Sequence, residues 1–301
     1  MKRFGALCLL AAAAASCQAE HRWEDYPAQD LDRLVVQGFV PEKLQLEGPP
    51  SLHVPSTESG GAATHLFVNV EINGLPASLL VDSGASRTLL FPSLASRAQV
   101  RLAPVRAEAR LLDEGVPFNL GEVRELRIGA LSVKNFPVFV ARRQLIRELR
   151  PMDGMLGLDF LRRFSLTLDY GRRTVLLRRE SRPAPEGAKS APLEIRKSWG
   201  PLGLHGWIPR LECRLDDSGP TACIFDSGAS SSVVFVPQEL WKRADSGREL
   251  RLRIGNIDLG QVPARAWNGD AVQFGPAVLI AAGWTKVTLD SLAGTFIVEK
   301  D

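Results

Sequence analysis

Short apolar runs broken by polar turns dominate the chain, and they recur. Leu66-Phe67-Val68-Asn69-Val70-Glu71-Ile72 alternates as a half-buried strand should, and Asn73-Gly74 supplies the hairpin turn after it. The return run, Pro76 to Val81, breaks abruptly into Asp82-Ser83-Gly84-Ala85-Ser86. The same break appears again where Ala222-Cys223-Ile224-Phe225 meets Asp226-Ser227-Gly228-Ala229-Ser230. Two further landmarks follow in the same order. Leu126-Arg127-Ile128-Gly129 matches Leu252-Arg253-Ile254-Gly255, and Leu166-Thr167-Leu168-Asp169 matches Val287-Thr288-Leu289-Asp290. The copies stand 144 residues apart at the aspartates (82 to 226), 126 at the next landmark (126 to 252) and 121 at the last (168 to 289). A repeat of this length predicts two related lobes, the second one shorter just after its Asp-Ser-Gly.

Taken in order, the remaining runs are short strands with regular turns and scarcely any long helical period, which puts the fold in the all-β class. Ala107 to Val123 reads as a hairpin that the second copy lacks, with Leu112, Asp113, Glu114 and Gly115 at its tip. Leu126 to Ile128 and Phe136 to Val140 are further strands, and Asp153 to Leu161 ends in a helical turn. Phe164 to Leu168 and Thr174 to Leu177 close the lobe as a hairpin through Asp169-Tyr170-Gly171. Glu180 to Pro192, with three prolines and no apolar period, reads as linker. The plan resumes at Trp207, where Leu211 to Leu215 and Thr221 to Phe225 flank the turn Asp216-Asp217-Ser218-Gly219. The expected organisation is a signal segment at 1–19, an N-terminal extension at 20–64, a first lobe at 65–179, an interlobe linker at 180–204 and a second lobe at 205–301. Within the extension, Leu34-Val35-Val36 is a candidate edge strand and Ser56 to Ala63 a loop.

Composition adds few partners. In 301 residues, 45% of them apolar, there is material for two cores. The net charge of +3 falls to about +1 without Lys2 and Arg3, so nothing asks for nucleic acid. Arg142, Arg143, Arg147 and Arg150 read as the wet side of a short helix. Four scattered histidines, at 21, 53, 65 and 205, suggest no metal constellation, and no cofactor is implied. Lys2 and Arg3 ahead of the apolar run Phe4 to Ala15 have the form of an export signal too short to span a membrane. Ala14-Ala15-Ser16-Cys17 resembles a bacterial lipobox and makes Cys17 a lipidation candidate; cleavage after Ala19 is the alternative. Either route leads out of the cytoplasm, to a free or lipid-anchored periplasmic protein. Cys213 and Cys223 stand equally far from Ser218, so they are either a disulfide or two small buried apolar residues.

Asp, Ser and Gly are ordinary turn vocabulary, and one such motif carries little. Two of them in equivalent places bring Asp82 and Asp226 forward as a paired acid and base. Asp-Ser-Gly-Ala after a buried strand, followed by Gly154-Met155-Leu156-Gly157-Leu158-Asp159-Phe160-Leu161, resembles the retropepsin-type aspartic proteases. Two such units in one chain, with a flap hairpin in only one of them, resemble the bilobed pepsin-like form. The resemblance implies two acid-protease β-barrel lobes about a pseudo-twofold axis in a monomer, with Asp82 and Asp226 as the catalytic pair. It implies that Ser83, Gly84, Ser227 and Gly228 support the aspartate loops, with Gly157 beneath the first and Gly283, in Ile280-Ala281-Ala282-Gly283, beneath the second. Asp153 and Asp159 read as turn and helix-cap groups. The flap lacks the tyrosine typical of pepsins and the glycine-rich tip of viral enzymes. The expected activity is aspartic endopeptidase, on a peptide or unfolded protein, in the cell envelope. The alternative is a catalytically inactive, protease-like lipoprotein that binds peptides in the same cleft.

Overall fold

The structure is a computed structural model that describes residues 44–57, 64–111, 114–141, 152–198, 206–241 and 249–300. The expected signal segment, Cys17, the strand at Leu34 to Val36, the arginines at 142–150 and the flap residues Leu112 and Asp113 lie outside the described residues. Ahead of the first aspartate come β1 (Gln45–Glu47), β2 (Ser51–Pro55), β3 (Phe67–Ile72) and β4 (Leu75–Val81). After it follow β5 (Leu89–Leu90), α1 (Pro92–Arg97), β6 (Arg101–Leu111), β7 (Glu114–Ile128), β8 (Leu131–Ala141), β9 (Gly154–Leu156), α2 (Leu158–Leu161), β10 (Ser165–Asp169) and β11 (Thr174–Arg178). The second half comprises β12 (Lys189–Pro192), β13 (Glu194–Ser198), β14 (Gly206–Leu215), β15 (Thr221–Phe225), β16 (Val234–Pro237) and α3 (Gln238–Trp241). It ends with β17 (Glu249–Ile254), β18 (Ile257–Trp267), β19 (Val272–Phe274), α4 (Pro276–Ala281), β20 (Lys286–Asp290) and β21 (Thr295–Glu299).

Each half closes a ring of strands with the same connectivity. In the first lobe the order is β8, β5, β9, β4, β3, β7, and pairing of β7 with β8 closes it. In the second the order is β18, β16, β19, β15, β14, β17, and pairing of β17 with β18 closes it. Closure leaves no free edge within the ring, and the alternating side chains of β3 turn one set inward to the core. The chain is all-β, with two retropepsin-like lobes. The first lobe alone extends β6 and β7 into a long hairpin, paired from Arg101 with Glu122 out to Leu111 with Glu114. Glu114 and Gly115 therefore open β7.

The two repeated Thr-Leu-Asp segments meet in a shared six-stranded sheet. β10 and β20 pair antiparallel, Ser165 with Asp290, Thr167 with Thr288 and Asp169 with Lys286, so the register is symmetric about the threonines. Thr167 Oγ1 and Thr288 Oγ1 lie 2.8 Å apart there, where the local twofold axis crosses the sheet. Apolar side chains of both lobes and of this sheet form one continuous cluster. Phe225, directly before the second aspartate, packs 5.6 Å from both Phe274 and Phe296.

Two segments read as extension and linker instead complete this sheet. β2 pairs with β11, and β12 pairs with β21. Both are outermost strands and mostly exposed, so neither carries a full apolar period, and an edge tolerates Pro55 and Pro192. β13 likewise pairs with β14 at the rim of the second lobe.

Candidate active site

Both aspartates leave their strands in the same way. β4 runs parallel to β9 and β15 parallel to β19, and each aspartate N–H still bonds its neighbour, Asp82 to Leu156 O (3.1 Å) and Asp226 to Phe274 O (3.0 Å). The chain then turns sharply, and the turn's own N–H groups orient the carboxylates. Gly84 and Ala85 each donate to Asp82 Oδ1 at 2.9 Å, and Gly228 donates to Asp226 Oδ1 at 2.9 Å. The loops interlock through their serines. Ser227 N–H donates to Ser83 Oγ (3.0 Å), which donates to Phe225 O (2.9 Å); Ser83 N–H donates to Ser227 Oγ (2.8 Å), which donates to Val81 O (2.8 Å). All four bonds cross between lobes and are buried, where an unmade bond costs the full desolvation of its group.

This interlock sets the carboxyls face to face. A Cβ built on Gly84 would stand 2.3 Å from Asp226 Cγ, and one on Gly228 would stand 2.6 Å from Asp82 Cγ. Each carboxyl thus lies over the other loop's glycine, and a side chain at either glycine would displace it. The two carboxyls are near enough for each to act on the other's ionisation. Burial pushes both above the usual carboxylate range, Asp82 well above it, where the Asp226 charge adds to the rise. At Asp226 the rise is offset by hydrogen bonds from Gly228 N–H, from Asp82 and from the Gln273 side chain. Two buried carboxyls this close do not both ionise cheaply, so together they retain one proton.

Gly157 lies against the first loop, where a Cβ on it would stand 2.3 Å from the backbone of Arg87. It begins α2, its N–H donates to Thr88 Oγ1 (3.1 Å), and Leu158 N–H donates to Ala85 O (2.8 Å). Asp159 is more than a cap. Its Oδ1 accepts from Thr88 N–H (2.9 Å), Thr88 Oγ1 (2.8 Å) and Phe160 N–H (2.9 Å), bracing the loop, while burial raises its carboxyl. Asp153 Oδ2 accepts from Ser78 N–H at 3.0 Å, joining β4 to the turn before β9.

Gly283 does not occupy the corresponding place in the second lobe. Gly275 does: it follows β19, begins α4, and a Cβ on it would stand 2.5 Å from Ala229 O. Gly283 instead ends α4 in the left-handed region (φ +84), where a Cβ would make only ordinary contact with the Lys300 side chain. Counting on from the Leu-Arg-Ile-Gly landmark misses this because Leu126 to Gly157 spans 31 residues (157 − 126) and Leu252 to Gly275 only 23 (275 − 252). Nor does an Ala277 provide the carboxylate that Asp159 supplies in the first lobe.

The cysteines are free thiols, not a disulfide. The hairpin register pairs Cys213 with Thr221 and Cys223 with Leu211, so the two are diagonal neighbours. Burial raises the Cys223 thiol well above its ordinary value, and the Cys213 thiol beside it raises it further.

Two residues at the site carry no motif. His65 lies before β3, and its Nε2 donates to Gly228 O at 3.0 Å, joining the first lobe to the second aspartate loop; burial lowers its pKa, partly offset by that bond and by the Asp226 charge. Gln273 interrupts an otherwise apolar three-residue strand, and that interruption is the signal that would have found it. Among the described residues no group of three or more His, Cys, Asp or Glu is placed to hold a metal ion.

Residues 68–160 match the family model described as aspartyl protease. The matched stretch contains Asp82 and Gly157; Asp226 lies beyond it. The chain is 33% identical over 124 residues to the DNA damage-inducible protein 1 of Cryptococcus neoformans, covering 40% of this chain and 27% of that one. It is 28% identical over 165 residues to Protein DDI1 homolog 1 of Homo sapiens, covering 52% and 40%. To Protein DDI1 homolog 2 of Danio rerio it is 30% identical over 153 residues, covering 48% and 35%. The chain thus spans between about a quarter and two fifths of the length of these relatives. In its first lobe this chain is similar to the aspartyl protease family.

Proposed function

We propose that the chain is an aspartic endopeptidase that hydrolyses peptide bonds with water activated between Asp82 and Asp226. The observation that carries this reading is the reciprocal seating of two carboxyls, each over the other loop's glycine. Hydrolysis needs a base for water and an acid for the carbonyl oxygen, and a pair that shares one proton supplies both. Ionised Asp226 takes a proton from water as its oxygen bonds to the carbonyl carbon. Asp82 gives its proton to the carbonyl oxygen, and a tetrahedral gem-diol forms. Its collapse breaks the C–N bond; the proton on Asp226 goes to the leaving nitrogen, and a hydroxyl proton of the diol returns to Asp82.

The clamp reading without hydrolysis loses ground here, because peptide binding alone gives no reason to bury two mutually repelling carboxyls. Asp82→Asn and Asp226→Asn should each abolish cleavage of an unfolded protein, assayed from about pH 3 to 8 across carboxyl and histidine titrations. Activity that survives either change removes the pair from the mechanism. Export is part of the same proposal, supported by the signal-like start of the chain and Cys17. Its test is the mass of the mature N-terminus, with or without lipid on Cys17.

A further inference from the structure

The serine interlock and the glycine seats of the two aspartate loops are reciprocal, but the strands beside the loops differ. In the first lobe Leu80 pairs with Met155; at the equivalent place in the second, Ile224 pairs with Gln273. Met155 is buried with Phe67, Leu80 and Phe91 and offers no donor. Gln273 lies between the fully buried Val272 and Phe274 and points its amide the other way, to the site. Its Nε2 donates to Asp226 Oδ2, the oxygen left over once Oδ1 has accepted Gly228 N–H.

We infer that Gln273 is a positioning residue that keeps the negative charge of the pair on Asp226 and so leaves the shared proton on Asp82. A carboxamide does not titrate, so its N–H favours an ionised partner at every pH at which the protein is folded. Other titratable groups near Asp226 do not do this. Asp82 faces it across the axis as the other half of the pair. His65, from the segment before β3, has its Nε2 committed to Gly228 O. Tyr170, after β10, feels the Asp226 charge, but its buried hydroxyl makes no hydrogen bond among the described residues. The backbone donors alone do not favour Asp226, since Asp82 receives two N–H bonds of its own. With Gln273 in place one aspartate is the base and the other the acid before any substrate arrives.

The catalytic meaning of this asymmetry rests on the proposed peptidase reading; the charge placement does not, and the test separates them. The pair is followed by NMR titration of 13C-labelled aspartate carboxyls in the full chain, assigned with Asp82→Asn and Asp226→Asn. In the wild type Asp226 should titrate below Asp82. Gln273→Met, which installs the first lobe's residue, should raise the Asp226 titration by about one pH unit, as expected for loss of a hydrogen bond to a charged group. The acid limb of kcat/KM should rise with it, with KM little changed, because Asp226 must be ionised to take water's proton. Gln273→Glu keeps the shape and offers a donor only when protonated, so it should approach wild-type behaviour at acidic pH and depart from it above. It also serves if the methionine variant fails to fold. An Asp226 titration unmoved in the folded variants overturns the inference, whether or not peptides are cleaved. A shifted titration in a protein that cleaves nothing supports the charge placement and overturns the peptidase reading instead.

Discussion

Ser83→Ala tests the interlock that sets the two carboxyls face to face. Ser83 Oγ accepts Ser227 N–H at 3.0 Å and donates to Phe225 O at 2.9 Å. Alanine removes both bonds and leaves an N–H and a carbonyl without partners. Ser83 is 0% exposed and Ser227 2%, so water does not replace what is lost. A buried unpaired group costs about 1–3 kcal/mol, and the orphaned N–H is the less tolerated of the two. The expected loss is therefore about 2–4 kcal/mol, out of a total that is typically about 5–15 kcal/mol. The core is continuous across both lobes, so urea unfolding should show one transition. Its midpoint should fall by roughly 1 M, with a slope of about 3 kcal/mol/M. Ser227→Ala removes the mirror-image pair of bonds and should cost a similar amount. The double variant should lose less than the sum by about 0.5–1 kcal/mol, because the first change already loosens the same interface. A Ser83→Ala unfolding free energy within about 0.5 kcal/mol of wild type refutes the reasoning, since surface substitutions alone reach that size.

Gly84→Ala should abolish activity while the chain still folds, because its Cβ would stand 2.3 Å from Asp226 Cγ and the carboxyl must leave the pair; circular dichroism with a cleavage assay decides it. Gly275→Ala and Gly283→Ala should separate the two glycines. The first pushes on Ala229 O at 2.5 Å and should lower activity, while the second strains a φ of +84 and should cost about 1 kcal/mol of stability with activity kept. Loss of activity in Gly283→Ala alone would return that glycine to the site. The pair also gives stability a pH dependence. Asp82 is raised on folding, so the folded chain holds a proton that the unfolded chain has released, and stability is lost as pH rises through the raised value. Asp82→Asn should remove that loss, gaining on wild type from about pH 4 toward pH 8 in urea unfolding; a constant difference across that range contradicts it.

The sequence by itself determined what is local or repeated. Strand alternation in Leu66 to Ile72, the abrupt Asp-Ser-Gly breaks and the three ordered landmarks established an all-β chain of two related lobes. Those signals are legible because a strand's alternation and a tight turn are written in adjacent residues. What depends on distant pairing was decided only by the tertiary structure. β2 and β12 join the shared sheet as half-exposed edges, and an edge strand has too few buried positions to show a period. The offset of Cys213 from Cys223 follows from the hairpin register, where a shift of one residue changes every partner. Gly275 takes its place because β19 runs parallel to β15, a pairing that a count along the chain cannot see across a connection of altered length. Gln273 reaches Asp226 through that same pairing. The motifs name the two carboxylates, but only the closed rings and the serine interlock seat each of them over the other loop's glycine, buried and close enough to repel.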